Sequence, residues 1–187
     1  MSHHWKALTQ SQYPWEEDAL KFIRDELSSS SPICAWSNFE FMALSGAIYE
    51  VDLAIAGPWG IFLVEIKSRP GEITSSSGSW VWTDNGNRWT ADNPLPLANR
   101  KCKELKSLLQ SQQVFANDAV PFIEPLIFCS HDTGTANGPF GLWLLVPSHG
   151  ASFAPSVCGV VVPITNPAQF ETLTKEWILT RHRGEAA

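Results

Sequence analysis

Residues 50–67 read Glu50-Val51-Asp52-Leu53-Ala54-Ile55-Ala56-Gly57-Pro58-Trp59-Gly60-Ile61-Phe62-Leu63-Val64-Glu65-Ile66-Lys67. Two apolar runs flank Gly-Pro-Trp-Gly, which makes this the strongest hairpin signal in the chain. With Pro58 and Trp59 at the turn centre, Val51 faces Ile66, Leu53 faces Val64 and Ile55 faces Phe62. That face is wholly apolar and predicts a helix packed against it. On the other face Ala56 meets Ile61, Ala54 meets Leu63 and Asp52 meets Glu65, and one step on Glu50 meets Lys67. The apolar part of this second face therefore ends in four charged side chains at one end of the strands. A slip of one residue would send Asp52 to the opposite face, so the register carries the reading.

Opposed residues in such a pair have Cβ atoms roughly 4.5–5.5 Å apart, and two carboxylates that close repel unless one is protonated or a cation lies between them. Mg²⁺, or Mn²⁺ in its place, takes oxygen ligands from one or two carboxylates plus water. Asp52 and Glu65 supply the carboxylates, with the backbone carbonyl of Ile66 as a third candidate ligand. Lys67, two residues after Glu65 and hence on the same face, is placed to stabilise charge on a phosphate in a transition state. Acids and a lysine at this spacing also arise by chance, and Glu50 with Lys67 equally reads as a plain cross-strand ion pair at a sheet edge.

Working outward, a helix is expected from about Trp15 to Leu27, opened by Pro14 and by the acids Glu16, Glu17 and Asp18 at its positive end. Ala19, Leu20, Ile23 and Leu27 form its apolar stripe. Glu16 falls on that stripe, while Glu17 falls on the wet side with Lys21 and Arg24. An acid there can reach the hairpin cluster as an outer ligand or base. A strand is expected over Ile33–Ala43, then a turn at Ser45-Gly46. Residues 70–93 carry Trp80, Trp82 and Trp89 among Ser, Gly and Asn, and read as a short hairpin or an ordered loop.

Asn93 as N-cap and Pro94 at the first helical position open a second helix, with Leu97, Ala98, Cys102, Leu105, Leu108 and Leu109 on its apolar face. Three further strands (Phe122–Cys129, Phe140–Val146, Cys158–Ile164) and a last helix from Asn166-Pro167 complete the pattern. Helices alternating with strands in this order predict an α/β fold, a mixed sheet flanked by helices.

At 187 residues the chain suits a single domain over 1–187. An apolar content of 44% excludes disorder for most of it. No apolar run reaches the length of a membrane span, and the first ten residues lack the layout of a secretory signal. The four cysteines form no CxxC pair, which argues against zinc and a disulfide scaffold and for reduced thiols in the cytoplasm. The net charge of −6 counts against a constitutive, tight nucleic-acid binder. It leaves room for an acidic metal site with local basic help. That help lies on the second helix, where Arg100, Lys101, Lys103 and Lys106 stand against Glu104 alone. Arg100, Lys101 and Lys103 are candidate phosphate contacts, or else a solvated helix face. Trp80, Trp82 and Trp89 are candidates to stack on unpaired bases, with core packing expected for at least two. Adjacent residues on a strand point to opposite faces, so Ser130-His131-Asp132 is no catalytic triad. His3 and His4 fall at a floppy end, and none of the five histidines reads as catalytic.

The hairpin, with Gly71 after it, the tryptophans beyond and Asn93-Pro94 opening a helix, resembles the nuclease-related domain (NERD) family. That family is regarded as a branch of the PD-(D/E)xK, restriction-endonuclease-like superfamily. The segments YPWEEDALKFIRDEL, AWSNFEF and DNPLPLANRKCKELKSLL add a resemblance to the N-terminal domain of large serine/threonine kinases of phage growth limitation and BREX-type phage-defence systems. The resemblance implies a restriction-endonuclease-like core and Mg²⁺-assisted attack of water on DNA. Asp52 and Glu65 would hold the metal, Lys67 would be the catalytic lysine, Glu16 the acid of the first helix, and Glu50 and Lys101 supporting residues. It also implies an excised domain whose partners are DNA, the kinase domain of a longer protein and other defence components, with no membrane.

No kinase motif occurs in the chain, so phosphoryl transfer to protein is not its expected work. Many family members carry Gln where this chain has Leu97, which removes one phosphate or metal contact. The competing readings are therefore a catalytically weak or inactive module that binds nucleic acid or a partner and regulates an attached kinase, and a pure assembly domain.

Overall fold

The computed structural model describes residues 4–27, 33–57, 60–68, 72–75, 79–113, 115, 120–130, 142–146 and 160–164. The elements are β1 (His4–Ala7), α1 (Pro14–Leu27), β2 (Cys34–Met42), β3 (Ile48–Gly57), β4 (Gly60–Ser68), β5 (Glu72–Ser75), β6 (Ser79–Asp84), β7 (Asn87–Asp92), α2 (Leu95–Ser111), β8 (Ile123–Ser130), β9 (Leu142–Val146) and β10 (Val160–Ile164). A seven-stranded sheet runs in the order β1-β2-β3-β4-β8-β9-β10. Its pairs are antiparallel except β1 with β2 and β4 with β8, so the sheet is mixed. The crossover from β4 to the parallel β8 carries α2 and a separate three-stranded sheet, β5-β6-β7. The fold is the expected α/β arrangement, with helices on a mixed sheet.

Side-chain alternation along β4 and β8 divides the core in two. Val64, Ile66, Leu126 and Phe128 join Leu53, Ile55 and Phe62 against Ala19, Leu20, Ile23 and Leu27 of α1. The alternate residues Leu63, Ile123, Ile127 and Cys129 lie on the other side with Leu95, Ala98 and Cys102 of α2. Each fully buried Leu, Ile or Phe contributes ~1.5–3 kcal/mol to holding the helices on the sheet. Burial also pushes the thiols of Cys102 and Cys129 up to about 12, with Glu124 adding to the rise at Cys102 and Lys101 and Lys67 respectively opposing it. Cys34, Cys102 and Cys129 are free.

The hairpin register is the expected one from Gly57 opposite Gly60 to Leu53 opposite Val64. Pro58 and Trp59 lie outside the described residues. Gly60 has φ +127, and a Cβ there would stand 2.7 Å from the Phe122 carbonyl oxygen, which accepts the Ile61 N–H at 2.8 Å. Only glycine lets the strand start at that distance from β8.

Several expectations need correction. The β3–β4 ladder ends at Leu53 and Val64, so the expected pairs Asp52–Glu65, Val51–Ile66 and Glu50–Lys67 are not ladder pairs; Glu50 is exposed and lies opposite Glu40 of β2. Val51 does not share the α1 side with Leu53, but packs with Ala54 and Leu63 towards α2. The physical reason is a break in the β2–β3 ladder at Asn38, φ 54, which separates the pair Ser37–Leu53 from the pair Phe39–Val51. The chain around His4 is not floppy but forms β1, whose first N–H bonds to the Ile33 carbonyl at 3.2 Å.

Residues 70–93, expected as a short hairpin or an ordered loop, contain the β6–β7 hairpin and add a third strand, β5. Trp80 and Trp82 are buried beneath α2, so neither is available to stack on a base, whereas Trp89 is 37% exposed. Helix α2 begins one residue later than expected, with Pro94 as N-cap, yet the Asn93 side chain still accepts the Leu95 N–H at 3.0 Å. Leu97 is exposed rather than part of the apolar face. The expected last helix from Asn166 lies outside the described residues.

Candidate functional site

Where the β3–β4 ladder stops, side chains take over from backbone. The Asp52 carboxylate accepts the Ile66 N–H at 2.7 Å. This bond anchors the Asp52 carboxylate to β4 next to Glu65. Glu65 in turn is held by two ammonium groups: Lys67 donates to Oε1 at 2.8 Å and Lys101 to Oε2 at 2.7 Å. Lys67 comes from the same strand, two residues on, and its side chain is 40% exposed. Lys101 comes from α2, where it stands beside Cys102 on the buried face, and its side chain is 9% exposed. Burial of that charge is tolerated because Glu65 neutralises it.

The two acids titrate in opposite directions. Burial and the neighbouring Glu65 charge raise the Asp52 carboxyl to about 6, against the lowering pull of the Ile66 N–H, Lys101 and Lys67. Burial also raises Glu65, but Lys67 and Lys101 together outweigh it and hold the carboxyl below its ordinary range. The cluster thus has one firmly ionised acid and one acid whose charge is under-compensated. A carboxylate in that state favours a further cation.

Glu16 is half-buried at the start of α1, as its place on the apolar stripe requires, while Glu17 and Asp18 are exposed. Its link to the Asp52 strand runs through Asn38. The Asn38 amide, oriented so that both of its groups are satisfied, donates to Glu16 Oε1 at 2.9 Å and to the Asp52 carbonyl at 3.2 Å. Its oxygen accepts from the Ser11 hydroxyl at 2.8 Å and the Ser11 N–H at 3.0 Å. Sequence reasoning passed over Asn38. Its one legible signal is an Asn inside an otherwise apolar-alternating strand, a residue type that tolerates positive φ.

The structure therefore brings together Asp52, Glu65, Lys67 and Lys101, and adds Glu16 through Asn38. Glu50 is not brought in. Arg100 and Lys103 are exposed on α2, apart from the buried Lys101. Among the described residues no group of three or more His, Cys, Asp or Glu side chains is arranged to hold a metal ion. The hard oxygen donors are the Asp52 carboxylate and the lone pairs that Lys67 and Lys101 leave on Glu65, and the Asp52 charge is the one that a cation would relieve. That set fits an ion such as Mg²⁺, which keeps several waters, and misfits one that demands an all-protein cage. No described helix is long and apolar enough to cross a membrane.

Over 124 residues, 64% of this chain, the sequence is 42% identical to the "Probable kinase PglW" of Streptomyces coelicolor (strain ATCC BAA-471 / A3(2) / M145). The matched stretch covers 8% of that relative, so the chain corresponds to a small part of a much longer protein. No solved structure matches the chain. Residues 11–130, from the segment before α1 to the end of β8, match the nuclease-related domain, and the chain belongs to that family.

Proposed function

We propose that this nuclease-related domain is a divalent-metal-dependent module that hydrolyses phosphodiesters of DNA, within a longer defence-associated kinase of the PglW kind. The observation that carries the reading is the junction at the end of the β3–β4 ladder, where Asp52, pinned by the Ile66 N–H, stands beside Glu65 and Lys67. Asp52 and Glu65 would hold Mg²⁺ or Mn²⁺, with the Ile66 carbonyl as a further candidate ligand. When bound, the ion would polarise the phosphodiester and lower the pKa of an attacking water.

The chain's own residues do the rest. Lys67, the more exposed of the two lysines, keeps N–H groups beyond its bond to Glu65 and stabilises negative charge growing on the phosphate. Lys101 neutralises Glu65 from below. Glu16, hydrogen-bonded to Asn38, would accept the proton of the attacking water at the edge of the site, while the P–O bond to the leaving oxygen breaks and that oxygen is protonated from solvent. Arg100 and Lys103 contact neighbouring phosphates from the exposed side of α2, which positions the strand without reading its sequence. The test is plasmid cleavage with Mg²⁺ or Mn²⁺ by the intact domain and by Lys67→Ala. Loss of cleavage in the variant is expected; equal cleavage by both proteins defeats the mechanism.

A second reading has its own supporting observation. Both Glu65 oxygens are engaged by ammonium groups, and Leu97 stands exposed at the place where the family resemblance implies Gln. With the net charge of −6, this favours a weak or inactive domain that binds nucleic acid or a partner and regulates an attached kinase. Its signature is salt-dependent DNA binding with no cleavage under any divalent ion.

A further inference from the structure

We propose that Asn38 is a positioning residue, which ties the Glu16 carboxylate to the Asp52 strand and so makes Glu16 part of the cation-binding environment of the candidate site. This rests on the metal-binding reading above. Asn38 lies in the middle of β2 at φ 54, and the ladder with β3 is regular on both sides of it. A left-handed residue inside a strand disfavours pairing there, and such outliers persist where the surroundings over-determine them. The surroundings do so here. The Asn38 carbonyl accepts the Thr9 N–H at 3.1 Å and the Thr9 hydroxyl at 2.8 Å. The amide oxygen is taken by Ser11, which leaves the NH₂ aimed at Glu16 and the Asp52 carbonyl.

One side chain therefore joins the segment before α1, the first turn of α1 and β3. The chemistry of the amide is specific. An aspartate at this place would set a second carboxylate against Glu16, and an alanine would keep neither bond nor the tolerance for positive φ. Glycine keeps the backbone conformation and deletes the amide alone. Glycine thus separates a backbone role from a positioning role.

The experiment is calorimetric titration of Mn²⁺ into the 187-residue chain, the variants Asn38→Gly and Glu16→Gln, and the double variant. Each single variant is expected to weaken Mn²⁺ binding about 10-fold, the size typical of a lost outer-sphere partner. The double variant should be no weaker than the weaker single, because Asn38 acts on the ion only through the Glu16 charge. Asn38→Gly with wild-type affinity, or losses that multiply in the double variant, would overturn the proposal while leaving the metal reading intact. A wild-type chain that binds no Mn²⁺ would defeat the metal reading and this proposal with it. Should Asn38→Gly fail to fold, Asn38→Asp replaces it in the same cycle, with a loss at least as large expected and unchanged affinity counting against the idea.

Discussion

Helices α1 and α2 cover opposite faces of one sheet, and each sends one charged side chain from its packed face towards the same place. Lys101 of α2 reaches Glu65 directly at 2.7 Å and is almost wholly buried. Glu16 of α1 is only half-buried and meets the Asp52 strand at one remove, through Asn38. A buried charge that depends on one partner is tied to the stability of the fold. A half-buried charge held by a neutral amide is less tied to the core, and in the proposed function it serves the site. Under the proposed function the two helices would divide structural from chemical work.

The largest effect that would sharpen this contrast is the loss of the buried cation. Lys101→Met leaves Glu65 with Lys67 alone and should cost about 3 kcal/mol of stability in urea unfolding. Lys67→Met removes the exposed partner of the same acid, and should cost within about 1 kcal/mol because solvent screens that pair. Equal costs for the two lysines would erase the distinction between them.

Next in size is the pH response of the metal-free domain. The Asp52 carboxyl lies at about 6 in the fold against an ordinary 3.8. Its contribution is fully present below the unfolded value and is lost as pH rises through about 6, because the folded state must then ionise a buried acid. Glu65 has the opposite sign: its contribution is present above its ordinary 4.5 and is lost as pH falls through its lowered folded value. Between pH 5 and 8 Asp52 therefore governs. In chelator, wild-type stability from Asp52 should fall by about 1.4 kcal/mol across that range, and Asp52→Asn should remove the fall. Parallel pH profiles for the two proteins would show that Asp52 is not the responsible group.

The smallest effect is expected at Glu16. Glu16→Gln, at a half-buried site, should change stability by no more than about 1 kcal/mol. A loss as large as that of Lys101→Met would place Glu16 in the core and remove the contrast between the helices.

Much of this was legible in one dimension. The hairpin register from Gly57 to Leu53 followed from Gly-Pro-Trp-Gly and the period-two apolar pattern, because a strand has only two faces to choose between. The burial of Glu16 relative to Glu17 followed from the 3.6-residue period of α1 in the same way. The face of Val51 did not, because a single positive φ at Asn38 of the neighbouring strand disturbs the alternation, and that angle leaves no mark on the sequence of β3. Nor did the three strands of β5–β7, whose Ser, Gly and Asn content matches a loop, while Trp80 and Trp82 become core only once α2 lies over them.

Residue order by itself determined the hairpin, the alternation of helices and strands, and the gathering of Asp52, Glu65 and Lys67 at one strand end. Those follow from periods of two and 3.6 acting over a few residues. Only tertiary structure decided that Lys101, 36 residues from Glu65, would become its buried counter-ion, and that Asn38 would link Glu16 to Asp52. Hydrogen bonds and ion pairs between distant segments depend on distances of about 3 Å, and the packing of helices on the sheet sets those distances.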